Sequence, residues 1–293
     1  MGAPIVRRLH EQGYSITVCD RNEQVLGYWG ELGLTVARRP MECASVDVVL
    51  VLVATSQQVR DVLLGDTGVV AGLTGLKAPL VLLMSTTTES VVRDVGTQLM
   101  DHGVTICDAP ISGGVVRAES GTLSVMLGGA AADVNRVRPL LEVIARDVFY
   151  CGPLGTGATM KIVNNIIGTG SAMLAAEACR IAHERGLVMD DVVTVLEASS
   201  GRMWLTAEPG ELTEFFRRVT QRREDFDSLV SVMRKDFGLA VELSHEVDGT
   251  YPLVASMKMF ADTMGEESYD NWRSLGGPVA GAVSGPDVGE AIA

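Results

Sequence analysis

Positive charge is scarce in this sequence, and the deficit limits its partners. The 293 residues include 24 lysines and arginines against 37 aspartates and glutamates, which gives a formal net charge of -13 at pH 7. An acidic chain repels phosphate backbones, so we expect no nucleic-acid partner. No stretch approaches the roughly 18 uncharged apolar residues of a transmembrane helix, and no apolar run of a signal peptide follows the first residues. We therefore expect a cytoplasmic protein without a membrane partner.

Cysteine and histidine are too scattered to indicate a metal site. The five cysteines are Cys19, Cys43, Cys107, Cys151 and Cys179, and no two of them have CxxC spacing. The four histidines are isolated from one another and from the cysteines. We predict reduced, mostly buried thiols and no bound metal ion.

What the first half of the chain does contain is a regular alternation of strands and helices. "DVVLVLVA" (47–54) and "PLVLLMST" (79–86) are continuous apolar runs, typical of strands buried on both faces of a parallel sheet. Strands joined by helices predict an α/β fold with a Rossmann-type doubly wound parallel sheet. Further strands are predicted at 14–20, 34–37, 105–111, 123–129 and 148–152, and helices at 22–33, 57–64, 89–103 and 131–145.

The second half shows helical patterns only. Residues 158–185 contain no proline and predict one continuous helix of about 42 Å, which Gly186 ends. The glycine-rich end of the chain has no apolar periodicity. We predict a dinucleotide-binding domain over 1–155, an all-helical substrate and dimerisation domain over 156–275, and a flexible tail over 276–293.

The chain opens on what looks like the second half of a nucleotide-binding unit. "MGAPIVRRLHEQGYSITVCD" (1–20) predicts a helix and then a strand that ends in an acidic residue, with no strand or glycine-rich turn before them. In dinucleotide folds such a turn approaches the pyrophosphate, and an acidic residue about 20 positions later binds the adenosine ribose. Gly2 and Asp20 fit these roles; an aspartate that merely ends a strand is the alternative. We expect a sheet that lacks its first strand and binds the pyrophosphate weakly.

Two later segments carry polar groups in unusual positions. "DAPISGG" (108–114) exposes successive backbone N–H groups beside a hydroxyl, which suits a carboxylate, although a simple tight turn is the alternative. In "TMKIVNN" (159–165), Lys161 and Asn165 share a helix face and Asn164 flanks it. Apolar neighbours favour the neutral form of a lysine, which can then act as a base. An exposed lysine beside two solvated asparagines is the alternative.

Taken in order, these motifs resemble those of the β-hydroxyacid dehydrogenase family, in particular its 3-hydroxyisobutyrate dehydrogenase and 2-hydroxy-3-oxopropionate reductase branch. "STTTES" (85–90) is similar to the family's nicotinamide-lining segment, and "DAPISGGVVRAESGTLSVMLGG" to its substrate-binding stretch. "GATMKIVNN" resembles the catalytic stretch, and "RKDFGLA" (234–240) the late Lys-Asp motif. Arg117 departs from the pattern, because the family usually has glycine there.

The resemblance implies an NAD- or NADP-dependent oxidoreductase that interconverts a short β-hydroxy acid and its semialdehyde or keto form. Lys161 would be the general acid/base, and Asn165 would hydrogen-bond the substrate and hold Lys161 in place. Asp236 would fix its own helix, although a surface ion pair between Lys235 and Asp236 is an alternative. The residues implied in substrate binding are Ser112, Gly113, Gly114 and Asn164. Those implied in cofactor binding are Gly2, Asp20, Arg21, Val53, Ala54, Thr86 and Lys235.

Cofactor choice and function both leave alternatives. Asp20 favours NAD because a carboxylate repels a 2′-phosphate, whereas Arg21 is able to receive that phosphate. An imine reductase of the same superfamily is a second function, against which Lys161 argues. A non-catalytic homologue that acts by binding or dimerisation is a third, favoured by the missing strand. The long helix and its apolar neighbours predict a homodimer or homotetramer.

Overall fold

The computed structural model describes residues 1–75, 78–208, 210–247 and 249–276, which form two compact units that divide between Val163 and Asn164. The division falls inside the long helix, and the predicted domain boundary near residue 156 stays a prediction. The predicted tail, 276–293, lies outside the described residues except for Gly276, which ends the last helix.

The first unit alternates strands and helices, as the sequence predicts. Its strands are β1 (Thr17–Cys19), β2 (Thr35–Ala37), β3 (Val48–Val51), β4 (Leu80–Leu83), β5 (Thr105–Asp108), β6 (Ile111–Ser112), β7 (Leu123–Gly128) and β8 (Ala145–Gly152). Its helices are α1 (Gly2–Glu11), α2 (Glu23–Glu31), α3 (Ser56–Leu64), α4 (Glu89–Met100), α5 (Gly114–Ser120) and α6 (Ala131–Ile144), with short 3₁₀ helices at Pro40–Cys43 and Val70–Gly72.

Side-chain caps fix where three of these helices begin. Asn22 accepts a hydrogen bond from the Gln24 N–H at the start of α2. Thr55 and Gln58 form a reciprocal capping box at the start of α3, and Thr88 caps α4. Each cap satisfies N–H groups that a helix otherwise leaves without partners, so the strand-to-helix turns are encoded locally.

The strands form two sheets rather than one. β1 and β2 pair only with each other, in parallel. The second sheet has the order β3-β4-β5-β7-β6, with β8 also on β7; β3, β4 and β5 are parallel, whereas β5 and β6 run antiparallel to β7. The described part of the chain shows no pairing between β1 and β3. The described strands therefore form two separate sheets, and the larger one is not wholly parallel.

β4 shows why helices cover both faces of the larger sheet. All four of its side chains are fully buried. Leu80 and Leu82 pack in one hydrophobic cluster with residues of α1 and α6, whereas Val81 and Leu83 pack in another with α3 and α4. Successive strand side chains point to opposite faces, so an uninterrupted apolar run requires this two-sided cover. The predicted α/β fold class is confirmed.

The second unit is helical throughout its described residues. The long helix α7 (Thr156–Glu184) leads into it, followed by α8 (Met189–Ala198), α9 (Glu211–Val219), α10 (Arg223–His245), α11 (Pro252–Thr263) and α12 (Glu266–Gly276). Aromatic side chains from α9, α10 and α12 meet edge to face in its core, namely Phe215, Phe216, Phe226 and Trp272. None of the described helices combines the length and apolar character needed to cross a bilayer.

Candidate active site

The predicted cofactor residues of the first unit follow the carboxyl ends of strands or start a helix. Asp20 comes directly after β1, Val53 and Ala54 follow β3, and Thr86 follows β4. Ligands of open α/β sheets bind outside the carboxyl ends of the strands. Each of these residues therefore lies at the end of its own strand where such a cofactor binds.

The amino end of α1 has the character of an anion site. Gly2 is its first residue, and Met1 contributes no side-chain capping hydrogen bond. No heavy atom lies within 4 Å of the position that a Cβ of Gly2 would occupy. The N–H groups of the first turn thus lack a side-chain cap, which suits an anion such as the pyrophosphate of a dinucleotide.

Asp20 and Arg21 are both exposed, and both remain accessible to an adenosine ribose. Asp20 Oδ1 accepts a hydrogen bond from the Asn22 N–H at 2.8 Å, which orients the carboxylate and leaves its second oxygen unused among the described residues. Arg21 makes no hydrogen bond or ion pair with any other described residue. The geometry therefore accommodates either a ribose hydroxyl or a 2′-phosphate.

The backbone N–H groups of Val53 and Ala54 already have partners. Val53 N donates to Ser85 Oγ at 2.8 Å, and Ala54 N donates to Gln58 Oε1 at 2.8 Å. A cofactor would have to touch other atoms of these two residues. Their role, like that of the half-buried Thr86, stays a prediction.

The predicted carboxylate site needs its two glycines. Ser112 ends β6 and pairs with Ser124 of β7. Gly113 and Gly114 have φ angles of 130° and 69°, which side-chain-bearing residues rarely adopt. A Cβ on Gly113 would also lie 2.8 Å from the Arg117 side chain. Arg117, the departure from the family pattern, therefore packs its stem directly on the predicted site.

Lys161 lies in the second turn of α7 and is buried, with 7% of its surface exposed. Lysine is rarely buried in proteins. The alternative of a solvent-exposed lysine does not hold for this position. Asn165 is one helical turn further along α7 and half-buried, whereas Asn164 is exposed.

Asp108, which sequence reasoning missed, ties the start of α7 to the substrate-binding stretch. The residue is 1% exposed; Oδ1 of its carboxylate accepts a hydrogen bond from the Gly155 N–H at 2.8 Å, and Oδ2 accepts one from the Ala158 N–H at 2.7 Å. Burial raises the pKa of Asp108, and these N–H donors oppose the rise. Asp108 thus joins the strand before Ser112 to the helix that carries Lys161. The signal available in the sequence was an aspartate in an otherwise apolar strand.

Asn165 is held by a residue 71 positions away within the second unit. Its Nδ2 donates to Asp236 Oδ2 at 2.7 Å, and its Oδ1 accepts from Asn164 Nδ2 at 3.1 Å. Asp236 is 7% exposed, and its Oδ1 lies 2.8 Å from Lys235 Nζ without making a hydrogen bond. Lys235 and Asp236 therefore form the ion pair of the alternative, but its aspartate is buried rather than at the surface. Asp236 does more than fix its own helix, because it orients the Asn165 amide.

Comparison with known proteins decides the family. The model for the NAD binding domain of 6-phosphogluconate dehydrogenase matches residues 1–152, and that for NAD-binding of NADP-dependent 3-hydroxyisobutyrate dehydrogenase matches 155–272. The 3-hydroxyisobutyrate dehydrogenase of Pseudomonas aeruginosa is 32% identical over 261 residues, covering 87% of this chain and 86% of that protein. The chain belongs to the β-hydroxyacid dehydrogenase family.

Solved structures agree with this assignment. The 3-hydroxyisobutyrate dehydrogenase of Mycobacterium tuberculosis, solved with L-serine, has a TM-score of 0.75 and 28% identity over 89% of each chain. An imine reductase variant from Myxococcus stipitatus, solved with NAD+, has a TM-score of 0.60 and 16% identity over 89% of each chain, which shows the fold alone. This β-hydroxyacid dehydrogenase is an oxidoreductase that uses NAD or NADP, as predicted.

Proposed function

We propose that this β-hydroxyacid dehydrogenase interconverts a short β-hydroxy acid and its semialdehyde or keto form, with Lys161 as the general acid/base. The observation that carries the proposal is the burial of Lys161 in the second turn of a helix whose start is fixed by Asp108. A buried amine held on a rigid element is suited to proton transfer. The same amine counts against the imine reductase alternative.

In the proposed reaction, three residues transfer the proton or position the groups that take part. In the oxidation direction Lys161 Nζ accepts the proton of the substrate hydroxyl, and in reduction it returns that proton to the oxygen. Asn165 donates or accepts a hydrogen bond at the same oxygen, and Asp236 keeps its amide in one orientation. The nicotinamide, when bound, supplies the hydride acceptor or donor.

The substrate carboxylate is the second anchor in the proposal. Ser112, Gly113 and Gly114 bind it through the hydroxyl and the backbone N–H groups, and Asn164 adds an amide at the edge. The positive φ angles of the two glycines support this role, because they let consecutive N–H groups converge. Binding of the carboxylate holds the reacting carbon of the substrate at a set distance from these residues.

For the cofactor we propose NAD, held by the remaining predicted residues. The accessible oxygen of Asp20 suits a ribose 2′-hydroxyl and repels a 2′-phosphate. Gly2, Val53, Ala54 and Thr86 contact the pyrophosphate and the nicotinamide side, and Lys235 is a further residue that contacts the cofactor.

The experiment that tests the proposal is a substrate panel with both dinucleotides. Matched relatives are named for 3-hydroxyisobutyrate, L-serine and L-threonate, so these three acids form the panel. We expect near-ultraviolet absorbance of reduced nicotinamide to appear with at least one acid, faster with NAD than with NADP. If neither dinucleotide is reduced with any of the acids, and a cyclic imine is reduced by NADH or NADPH, the imine reductase alternative replaces the proposal.

We further propose a homodimer or homotetramer, assembled through α7, in the cytoplasm. Ile167, Leu174 and Ile181 are 70%, 65% and 65% exposed and recur every seven residues. Positions seven apart lie on one helix face, so these side chains form an apolar stripe that a second copy can cover.

The five cysteines are all free thiols, which agrees with the reducing compartment of the proposal.

A further inference from the structure

The side chain of Arg117 lies over the predicted carboxylate site. Arg117 is in the last turn of α5, and helical side chains lean towards the amino end of their helix. Its Cβ and Cδ atoms both lie 2.8 Å from the position that a Cβ of Gly113 would occupy. Because glycine has no Cβ, the stem of Arg117 packs directly against the loop of residues 112–114.

The strands beside this loop bring an aspartate close to the same guanidinium. Ser112 of β6 pairs with Ser124 of β7, which pairs with Asp147 of β8, so the three form one row across the sheet. Neighbouring strands are about 4.8 Å apart, so the row is about 10 Å long. Arg117 Nη2 lies 4.0 Å from Asp147 Oδ2 at one end of the row, and the Arg117 stem packs on Gly113 next to the other end. The Arg117 side chain therefore spans the row.

The positive charge of Arg117 is only weakly compensated. Its 4.0 Å separation from Asp147 exceeds hydrogen-bond distance, and Arg146 Nε donates to the same Asp147 oxygen at 3.0 Å. Within the described parts of the chain the Arg117 guanidinium donates no hydrogen bond, and its side chain is 36% exposed. A guanidinium carries five N–H donors in a fork that matches a carboxylate. The donors of Arg117 are therefore available to an anionic ligand.

The predicted carboxylate site gains from such a charge. Ser112, Gly113 and Gly114 offer a hydroxyl and backbone N–H groups, which are neutral donors. The chain as a whole has a formal net charge of -13, so its field opposes the approach of an anion. A cation beside the loop offsets this repulsion locally.

We propose that Arg117 is a further substrate-binding residue, whose guanidinium pairs with the carboxylate bound at residues 112–114. The inference rests on the proposed function, which assigns this loop to the substrate acid. The charge selects free acids over uncharged derivatives of the same carbon skeleton, such as their primary amides. Asp147 competes with the substrate for the guanidinium and thereby limits the selection.

The test compares an acid with its primary amide in the full-length protein. The acid is the best substrate of the panel, and its amide keeps the reacting hydroxyl but lacks the negative charge of the carboxylate. The measured quantity is kcat/KM for the acid divided by kcat/KM for the amide. Arg117→Met keeps most of the stem that packs on Gly113 and removes the charge, so we expect this ratio to fall about tenfold, mainly through the KM for the acid. Arg117→Lys keeps the charge without the fork and is expected to retain part of the ratio.

Two further variants separate charge from packing. Arg136→Met removes the charge of an exposed arginine of α6 in the same unit, and we expect it to leave the ratio unchanged. Asp147→Asn removes the competing carboxylate, and we expect it to raise the ratio. Loss of packing around Arg117 would not produce that rise.

The outcomes separate the inference from the proposed function. A lower ratio in Arg117→Met supports the inference, and equal ratios in the wild type and Arg117→Met overturn it even when the acid is turned over. An unchanged ratio in Asp147→Asn overturns the competition by Asp147. Turnover of no acid contradicts the proposed function, and calorimetric titration of the acid and the amide then gives the ratio of their Kd values in the same variants. A wild type that binds the acid no better than Arg117→Met does would overturn the inference in that case as well.

Discussion

One oxygen of the Asp236 carboxylate accepts a hydrogen bond from Asn165, and the other oxygen lies beside Lys235. Asp236→Ala removes the acceptor for Asn165 Nδ2, which we expect to cost about 1–3 kcal/mol of interaction and to lower kcat more than it raises KM. Asp236→Asn keeps a carbonyl oxygen and is expected to retain part of the rate. Steady-state kinetics of both variants measure this, with Asp262→Ala, an exposed aspartate paired to Lys258, as the control. Equal kcat in the wild type and Asp236→Ala would contradict the positioning role.

Gly113 makes a second prediction at the residue scale. Gly113→Ala places a methyl group 2.8 Å from the Arg117 side chain at a φ of 130°, and we expect a raised KM for the hydroxy acid. Gly103→Ala is the matched control, because Gly103 also has positive φ, 72°, but open space around its Cβ position. Strain alone costs on the order of 1 kcal/mol in either variant. A KM that rises equally in both would mean that the site does not depend on Gly113.

Individual residues also show how far sequence reasoning reaches. The position of Lys161 one turn from Asn165 follows from helix periodicity, and it was predicted. The hydrogen bond from Asn165 to Asp236 spans 71 residues, so no local pattern indicates it. The caps of Asp108 on α7 were missed for the same reason, since they join positions 47 and 50 residues apart.

At the scale of elements, Asp108 couples β5 to the start of α7 and makes stability depend on pH. Burial raises its pKa above the unfolded value, so the native state binds this proton more tightly than the unfolded state does. The resulting stabilisation is complete below the unfolded pKa, about 3.9, and is lost as the pH rises through the raised folded pKa. We therefore expect the stability advantage of the wild type over Asp108→Asn to shrink as the pH rises through this window.

Urea unfolding midpoints of the two proteins across that window measure the effect. Asp101→Asn, at an exposed aspartate after α4, is the matched control for removing one carboxylate from the surface. An advantage of the wild type that grows with pH would contradict the account. It would show that the N–H groups of Gly155 and Ala158 outweigh the cost of burial.

Several elements could be predicted and a few could not. The apolar run of β4 is long and uninterrupted, so its two-sided burial follows from composition alone. β6 has two residues and α5 has seven, and both lie in the glycine-rich stretch after Asp108. In that stretch the apolar residues repeat with neither the period of a strand nor the period of a helix. The antiparallel pairing of β7 depends on contacts between distant strands, which an alternation of strands and helices does not specify.

At the scale of the whole molecule, the apolar stripe on α7 predicts the assembly. Leu174→Glu places a charge in the middle of the stripe, and burial of an unpaired charge in an interface is strongly unfavourable. We expect light scattering after size exclusion to show an oligomer for the wild type and a smaller species for this variant. Leu253→Glu, at an equally exposed leucine of α11, is the control and should leave the mass unchanged. A monomeric wild type would contradict the proposal.

The central claim is that buried Lys161 moves the substrate proton in this family's reaction. The most direct measurement is kcat with the best substrate of the panel for the wild type, Lys161→Ala and Lys258→Ala, a matched lysine outside the site. We predict a loss on the order of 10²-fold or more for Lys161→Ala, with dinucleotide binding retained and Lys258→Ala unaffected. Turnover by Lys161→Ala at the wild-type rate would contradict the account.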